Sequence, residues 1–271
     1  MKELQDTQNE FDPRGVPIDR VGVRGVRFPV QVRDKNRGLQ HTVATISLAV
    51  DLPHHYKGTH MSRFLEVLQA HGPELDVRRV HTIPGELLRR LDGRRAHIEF
   101  DFPYFIEKTA PATGARGLMD YGVNFVLEST TTDTDFVLTV RVPVATLCPC
   151  SKAISARGAH NQRGEVRYSV RFGEAIWIED LVRVVEQSAS SELFSVLKRP
   201  DEKMVTEHAY DHPVFVEDLV RSVAVRTRQD PNVKWFRVEA ENHESIHNHN
   251  AFAVVEWPAP TRGSESDDRK P

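Results

Sequence analysis

The stretch TLCPCSKAISARGAHNQRG, residues 146–164, holds both cysteines of the chain and a histidine twelve residues after the first. Thiolate and imidazole are metal ligands, and a thiolate is also a nucleophile. Only Pro149 separates Cys148 from Cys150, and a disulfide across so short and stiff a gap would be strained. Two cysteines in 271 residues form no disulfide framework. Thiols kept reduced are free to bind a metal or to attack a substrate.

Other ligand types follow. NHESIHNHNAF, residues 242–252, supplies His243, His247 and His249. KRPDEKMVTEHAYDHPVFVED, residues 198–218, supplies Glu202 and Glu217 among several acids and imidazoles. A catalytic metal site uses about three or four such groups and leaves a position open for water. The spacing here matches none of the compact zinc-finger signatures.

Simpler roles fit each residue equally well at this point. Cys148 alone reads as a small buried residue at a strand end. His247 and His249 would share one side of a strand, facing a site or facing water. Glu202 lies in a charged run of the kind that covers a surface. Glu217 and Arg221 stand four apart, the spacing of a helical ion pair. YKGTHMSRF, residues 56–64, groups Lys57, His60 and Arg63 around a helix start. Cations there suit a phosphate, but a capped, solvated helix end has the same spacing.

Regular elements must position these groups. Alternating apolar residues predict strands at VGVRGVRFPVQV, TVATISLAVDLP, RAHIEFDFPYFI and LMDYGVNFVLES. In the second half, Phe136 to Val144 alternate in a long strand that ends just before Cys148, and Val166 to Phe172 alternate in another. KWFRVEAEN and NAFAVVEW close the series. Helical spacing predicts helices at THMSRFLEVLQAHG, with Thr59 as N-cap and Gly72 as stop, and over 85–91. Two more are predicted over 177–190 and from Pro213 to Asp230-Pro231. Each half reads strand, strand, helix, helix, strand, strand, which suggests an internal duplication in an α+β fold with antiparallel sheets.

Composition bounds the rest. Charged residues make up 28% of the chain and the formal net charge is -3. That balance gives no general field for nucleic acid or an anionic membrane, and leaves a local basic pocket for a small anion. No apolar run reaches the roughly 18 residues of a membrane span, and the first residues have no signal-peptide core. A cytoplasmic protein is the expectation. Residues 1–18 read as a flexible N-terminal tail and 259–271 as a disordered one.

The motifs LCPCSK, GAHNQRG, RPDEKMVTEHAYDHPVFVEDLVR and ESIHNHNAFA, with KGTHMSRF and LMDYGVNF upstream, resemble GTP cyclohydrolase of the type IB family. They fall in the right order across roughly residues 18–257. The resemblance implies the tunnelling fold, with tandem units over 19–130 and 131–258 and the metal site in the second. It implies a homotetramer with sites between subunits. It also implies that GTP is hydrolysed and rearranged to 7,8-dihydroneopterin triphosphate with loss of formate, the first step of folate synthesis.

The family's metal ligands carry over onto Cys148, His160, Glu202 and His247, for one divalent Zn, Mn or Fe. Glu217 resembles the glutamate that anchors a purine edge, where one carboxylate accepts two N–H bonds. His243 and His249 are proton-shuttle candidates on chemistry alone, with Cys150 and Lys152 behind them. Lys57, Arg63, Lys152 and Arg157 are candidates for the triphosphate. Two rivals remain: an enzyme of the same fold whose cysteine attacks a nitrile that NADPH then reduces, and a non-catalytic metal- or purine-binding protein. Two histidines and a glutamate beside Cys148 argue against the first.

Overall fold

The computed structural model describes residues 6–77 and 79–258. The expected C-terminal tail, 259–271, lies outside the described residues. Ten strands form one sheet: β1 (Ile18–Asp34), β2 (Gly38–Leu52), β3 (Glu74–Leu75), β4 (Arg95–Thr109), β5 (Arg116–Thr130), β6 (Thr134–Leu147), β7 (Asn161–Phe172), β8 (Ser191–Glu192), β9 (Val233–Asn242) and β10 (Ala251–Trp257). The order across the sheet is β10-β9-β7-β6-β5-β4-β2-β1-β3, with β8 against β6. All pairings are antiparallel except the short β1–β3 contact. The α+β class expected from sequence is observed.

Period-two alternation explains why these segments pair as they do. Ala44, Ile46, Leu48 and Val50 of β2 turn to one face, as do Ile98, Phe100 and Phe102 of β4 and Leu138, Val140, Val142 and Val144 of β6. Each fully buried aliphatic side chain contributes about 1.5–3 kcal/mol. The opposite face is polar: Arg141 pairs with Asp101, Arg171 with Asp135, and Asn124 donates to Glu99.

Six α-helices are formed by the described residues. They are α1 (Met61–His71), α2 (Thr82–Leu91), α3 (Pro149–Ile154), α4 (Ile178–Glu186), α5 (Arg199–Asp211) and α6 (Val216–Thr227). Helix α6 packs on β9 and β10, α4 on β6, and α2 on β4 and β5.

Several elements differ from the sequence expectation. Residue His60, not Thr59, caps α1, and no side-chain cap bond is made. The chain stays extended there because the N-terminal segment lies alongside: Gly58 N–H donates to Gln8 O, Lys57 N–H to Glu10 O, and Gln8 Nε2 to Thr59 O. Residues 6–12, expected as part of a tail, thus run beside residues 55–59. Helix α2 begins three residues earlier than expected, at Thr82. Helix α4 stops at Glu186, where Ser188 Oγ donates to Val184 O and Ser190 Oγ accepts from Leu147 N–H.

Helix α6 starts at Val216, because Val214 N–H is drawn to Leu147 O of β6. Helices α3 and α5 were not foreseen. The single buried residue of α5 is Asp201, so the helix has no apolar stripe to read. A carboxylate holds it instead. Asp201 accepts from the N–H groups of Lys198, Ala112 and Thr113 and from Thr113 Oγ1, pinning the helix start to the β4–β5 turn.

Candidate active site

Cys148 leaves the end of β6 and becomes the N-cap of α3, with Pro149 at the first helical position. Its Sγ accepts from Ser151 N–H at 3.4 Å. The backbone N–H of Cys148 donates to His160 O at 3.1 Å, and His160 N–H donates to Ser151 Oγ at 3.1 Å. Residues 149–160 therefore form a closed loop whose two ends are held side by side by the β6–β7 ladder, where Leu147 faces Asn161. Gly158 turns the loop at φ 126°, a conformation that side chains rarely adopt. Both cysteines are free thiols, Cys148 half-buried and Cys150 exposed.

The imidazole of His160 is framed by its neighbours. Its Nδ1 lies 2.9 Å from Gln162 Oε1, and Gln162 Nε2 donates to Thr146 Oγ1 at 2.9 Å. The Glu244 carboxylate approaches the same Nδ1, with Oε2 at 3.9 Å. That oxygen is buried and has no hydrogen-bond partner among the described residues. The ring of His247 stands perpendicular to His160 with centroids 6.4 Å apart, and His249 stacks on His247 at 5.1 Å. The structure thus brings Cys148, His160 and His247 to one corner and adds Glu244. Sequence reasoning passed over Glu244, although it stands in the same motif as His247; its burial beside an imidazole was not visible.

The remaining candidates are exposed or already engaged. Glu202 is exposed on the first turn of α5. Glu217 is exposed on the first turn of α6, and Arg221 pairs with Asp218 at 3.3 Å rather than with it. His243 backs the corner: its N–H donates to Arg163 O, and Asn250 Nδ2 lies 3.3 Å from its Nδ1. His249 Nδ1 lies 3.3 Å from Asn250 O. Lys57 pairs with Glu10, Arg63 donates to Arg90 O, and Lys152 donates to Tyr210 O while lying over the Tyr210 ring. Arg157 is exposed and makes no ion pair among the described residues.

Among the described residues, no three His, Cys, Asp or Glu side chains close around a single point. The donor chemistry nonetheless fits a divalent transition metal. A free thiol on the residue whose backbone bonds to His160, two neighbouring imidazoles and an orphaned buried carboxylate oxygen supply such donors, and mixed S, N and O donors suit Zn, Mn or Fe. A cavity of about 820 Å³ lies apart from this corner, lined by Lys108, Glu179, Glu186, Glu192, His208 and His212 among others. It holds none of the candidate residues. Burial raises the Glu186 carboxyl pKa despite the Lys108 ammonium beside it.

Comparison with solved structures finds the same fold. The uricase of Arthrobacter globiformis matches with a TM-score of 0.55 over 92% of this chain and 96% of its own, at 8% identity. A urate oxidase mutant of Bacillus sp. TB-90 matches at 0.54 over 88% of this chain and 99% of its own, also at 8% identity. At that identity the likeness carries the fold alone. Sequence relatives say more. A protein of Akkermansia muciniphila called GTP cyclohydrolase FolE2 is 63% identical, over 94% of this chain and 98% of its own. One of the same name from Methylococcus capsulatus is 53% identical, over 93% and 94%. The family model described as type I GTP cyclohydrolase folE2 matches residues 4–253. The chain belongs to the FolE2 family of type I GTP cyclohydrolases, the type IB family that its motifs resemble.

Proposed function

We propose that this chain hydrolyses the guanine imidazole ring of GTP, releases formate and gives 7,8-dihydroneopterin triphosphate for folate synthesis. The match of the FolE2 family model to residues 4–253 carries this reading, and the Cys148–His160–Glu244 corner gives it a chemical basis.

Cys148, His160, His247 and Glu202 would hold one divalent Zn, Mn or Fe. A metal so held supplies a Lewis acid that can bring the pKa of a water from about 16 toward 7. The residues around it have separate tasks. The Glu217 carboxylate, exposed at the start of α6, accepts N–H bonds from the guanine edge. The unpartnered Glu244 oxygen is placed to hold a proton during ring opening, with His249 and His243 further out on the same loop. Of the four candidate cations, Arg157 makes no ion pair among the described residues and can meet phosphate directly; Lys57, Arg63 and Lys152 must first exchange their present partners.

The finer architecture belongs to the same proposal: two tandem units over 19–130 and 131–258, assembled as a homotetramer with sites between subunits. Two features support an assembly. The outer edge of β10 pairs with no strand among the described residues, and that of β1 is covered only at Gln31 and Val32. Near the site, Ile154, Phe215 and Ile246 are exposed, as is Phe252 on the free edge. Bare strand edges and apolar patches are surfaces that proteins cover. No described helix is long and apolar enough to cross a membrane; the cytoplasm is the proposed location.

The test is turnover by stripped and reloaded protein. Chelator-treated protein should be inactive with GTP. Adding Mn2+, Zn2+ or Fe2+ should restore formate release and a pterin fluorescence signal after oxidation. Absence of both with every metal would overturn the reading.

A further inference from the structure

His160 is presented by two residues that no ligand motif singles out. Thr146 on β6 and Gln162 on β7 are cross-strand partners, respectively 0% and 8% exposed. The buried amide spans from Thr146 Oγ1 to the imidazole, with 2.9 Å at each end. A primary amide has a donor end and an acceptor end. Nε2 is spent on Thr146, so the acceptor, Oε1, meets His160 Nδ1. A second acceptor, the Glu244 carboxylate, faces the same nitrogen at 3.9 Å. An acceptor at 2.9 Å, with a carboxylate beyond it on the same side, makes Nδ1 the nitrogen that carries the proton. In the neutral ring Nε2 of His160 is then the unprotonated nitrogen, with its lone pair available to a metal.

We infer that Gln162, itself held by Thr146, is a positioning residue that selects the Nδ1–H tautomer and the ring orientation of His160, and so sets the metal affinity of the site. The inference rests on the metal reading of Cys148, His160 and His247. The placement follows from the strand. Residues 160 and 162 bracket the start of β7, and Gln162 turns to the buried side while Asn161 and Arg163 face out. An imidazole held at one nitrogen by a fixed acceptor loses little freedom when the other nitrogen binds, and such outer partners typically change metal affinity by about 10–100-fold.

The experiment compares metal-free wild type with Gln162→Leu, Gln162→Glu and Thr146→Val. Zinc affinity is read by competition with a chromogenic chelator, beside melting temperature and the 15N shifts of His160. Gln162→Leu should weaken zinc binding by about 10–100-fold. Thr146→Val should weaken it by a smaller factor, roughly 3–10-fold, the worth of one neutral hydrogen bond. Gln162→Glu keeps an acceptor for Nδ1–H and should restore most of the affinity.

In metal-free wild type the His160 shifts should report Nδ1–H, and in Gln162→Leu a mixture of tautomers. Unchanged zinc affinity in a folded Gln162→Leu protein, or an Nε2–H tautomer in wild type, overturns the inference. Should Gln162→Leu fail to fold, Thr146→Val and the wild-type shifts decide. Wild type that binds no zinc yet shows Nδ1–H would count against the metal reading alone.

Discussion

The backbone N–H of Cys148 donates to the carbonyl of His160 at 3.1 Å, so two residues twelve apart in sequence are fixed as neighbours before any ligand arrives. The bond is an extension of the β6–β7 ladder, which pairs Leu147 with Asn161. A ladder is stiff, and groups at its end inherit that stiffness.

Cys148→Ala should therefore separate catalysis from folding. The backbone bond survives, and the small α3 loses only the contact from Ser151 N–H to sulfur. The variant should melt within a few degrees of wild type, lose its bound metal, and lose GTP turnover by more than about 100-fold, because the sulfur is the strongest donor in the proposed set. A folded variant with full metal content and activity would remove Cys148 from the site.

Gly158→Ala tests the loop. Added at Gly158, a Cβ meets no atom within 4 Å, so the cost is confined to a φ of 126°. Destabilisation of about 1–2 kcal/mol is expected in urea unfolding. Any relaxation of the loop would pull His160 away from Cys148 and weaken metal binding as well. A variant as stable as wild type would show that the turn is not needed in this form.

Glu244→Gln keeps the volume and removes the charge. As the proposed proton holder, it should lower kcat by about 100- to 10,000-fold while metal content stays close to wild type. Loss of metal instead would make Glu244 a ligand and displace Glu202 from the proposed set.

Asp201→Asn addresses stability in acid. Burial acts to raise the Asp201 pKa, but Thr113 Oγ1 and the N–H groups of Lys198, Thr113 and Ala112 outweigh it and hold the carboxyl at about 2. A depressed carboxyl pKa contributes stability that is present above the unfolded value of 3.8 and lost as pH falls toward 2. Wild type should thus melt higher than Asp201→Asn near neutral pH, and the difference should shrink between pH 4 and pH 2. A difference that does not change with pH would mean that hydrogen-bond geometry, not charge, anchors α5.

The sequence by itself determined the eight long strands, the core and the family, while the two-residue strands β3 and β8 went unread. Alternation along β2, β4, β6 and β7 names the buried residues directly, because a strand's period of two divides its faces residue by residue. The motifs at Cys148, His160 and His247 are local strings whose order survives without any coordinates. Tertiary structure alone decided what carries no period and no local string. Helix α5 is held by one buried carboxylate accepting from a turn nearly ninety residues away, so no apolar stripe announces it. Gln162 and Glu244 look like ordinary polar residues until the β6–β7 ladder and the 243–250 segment bring them to the same imidazole nitrogen. Burial and the direction of a hydrogen bond belong to pairs of distant residues, and those pairs exist only once the sheet has formed.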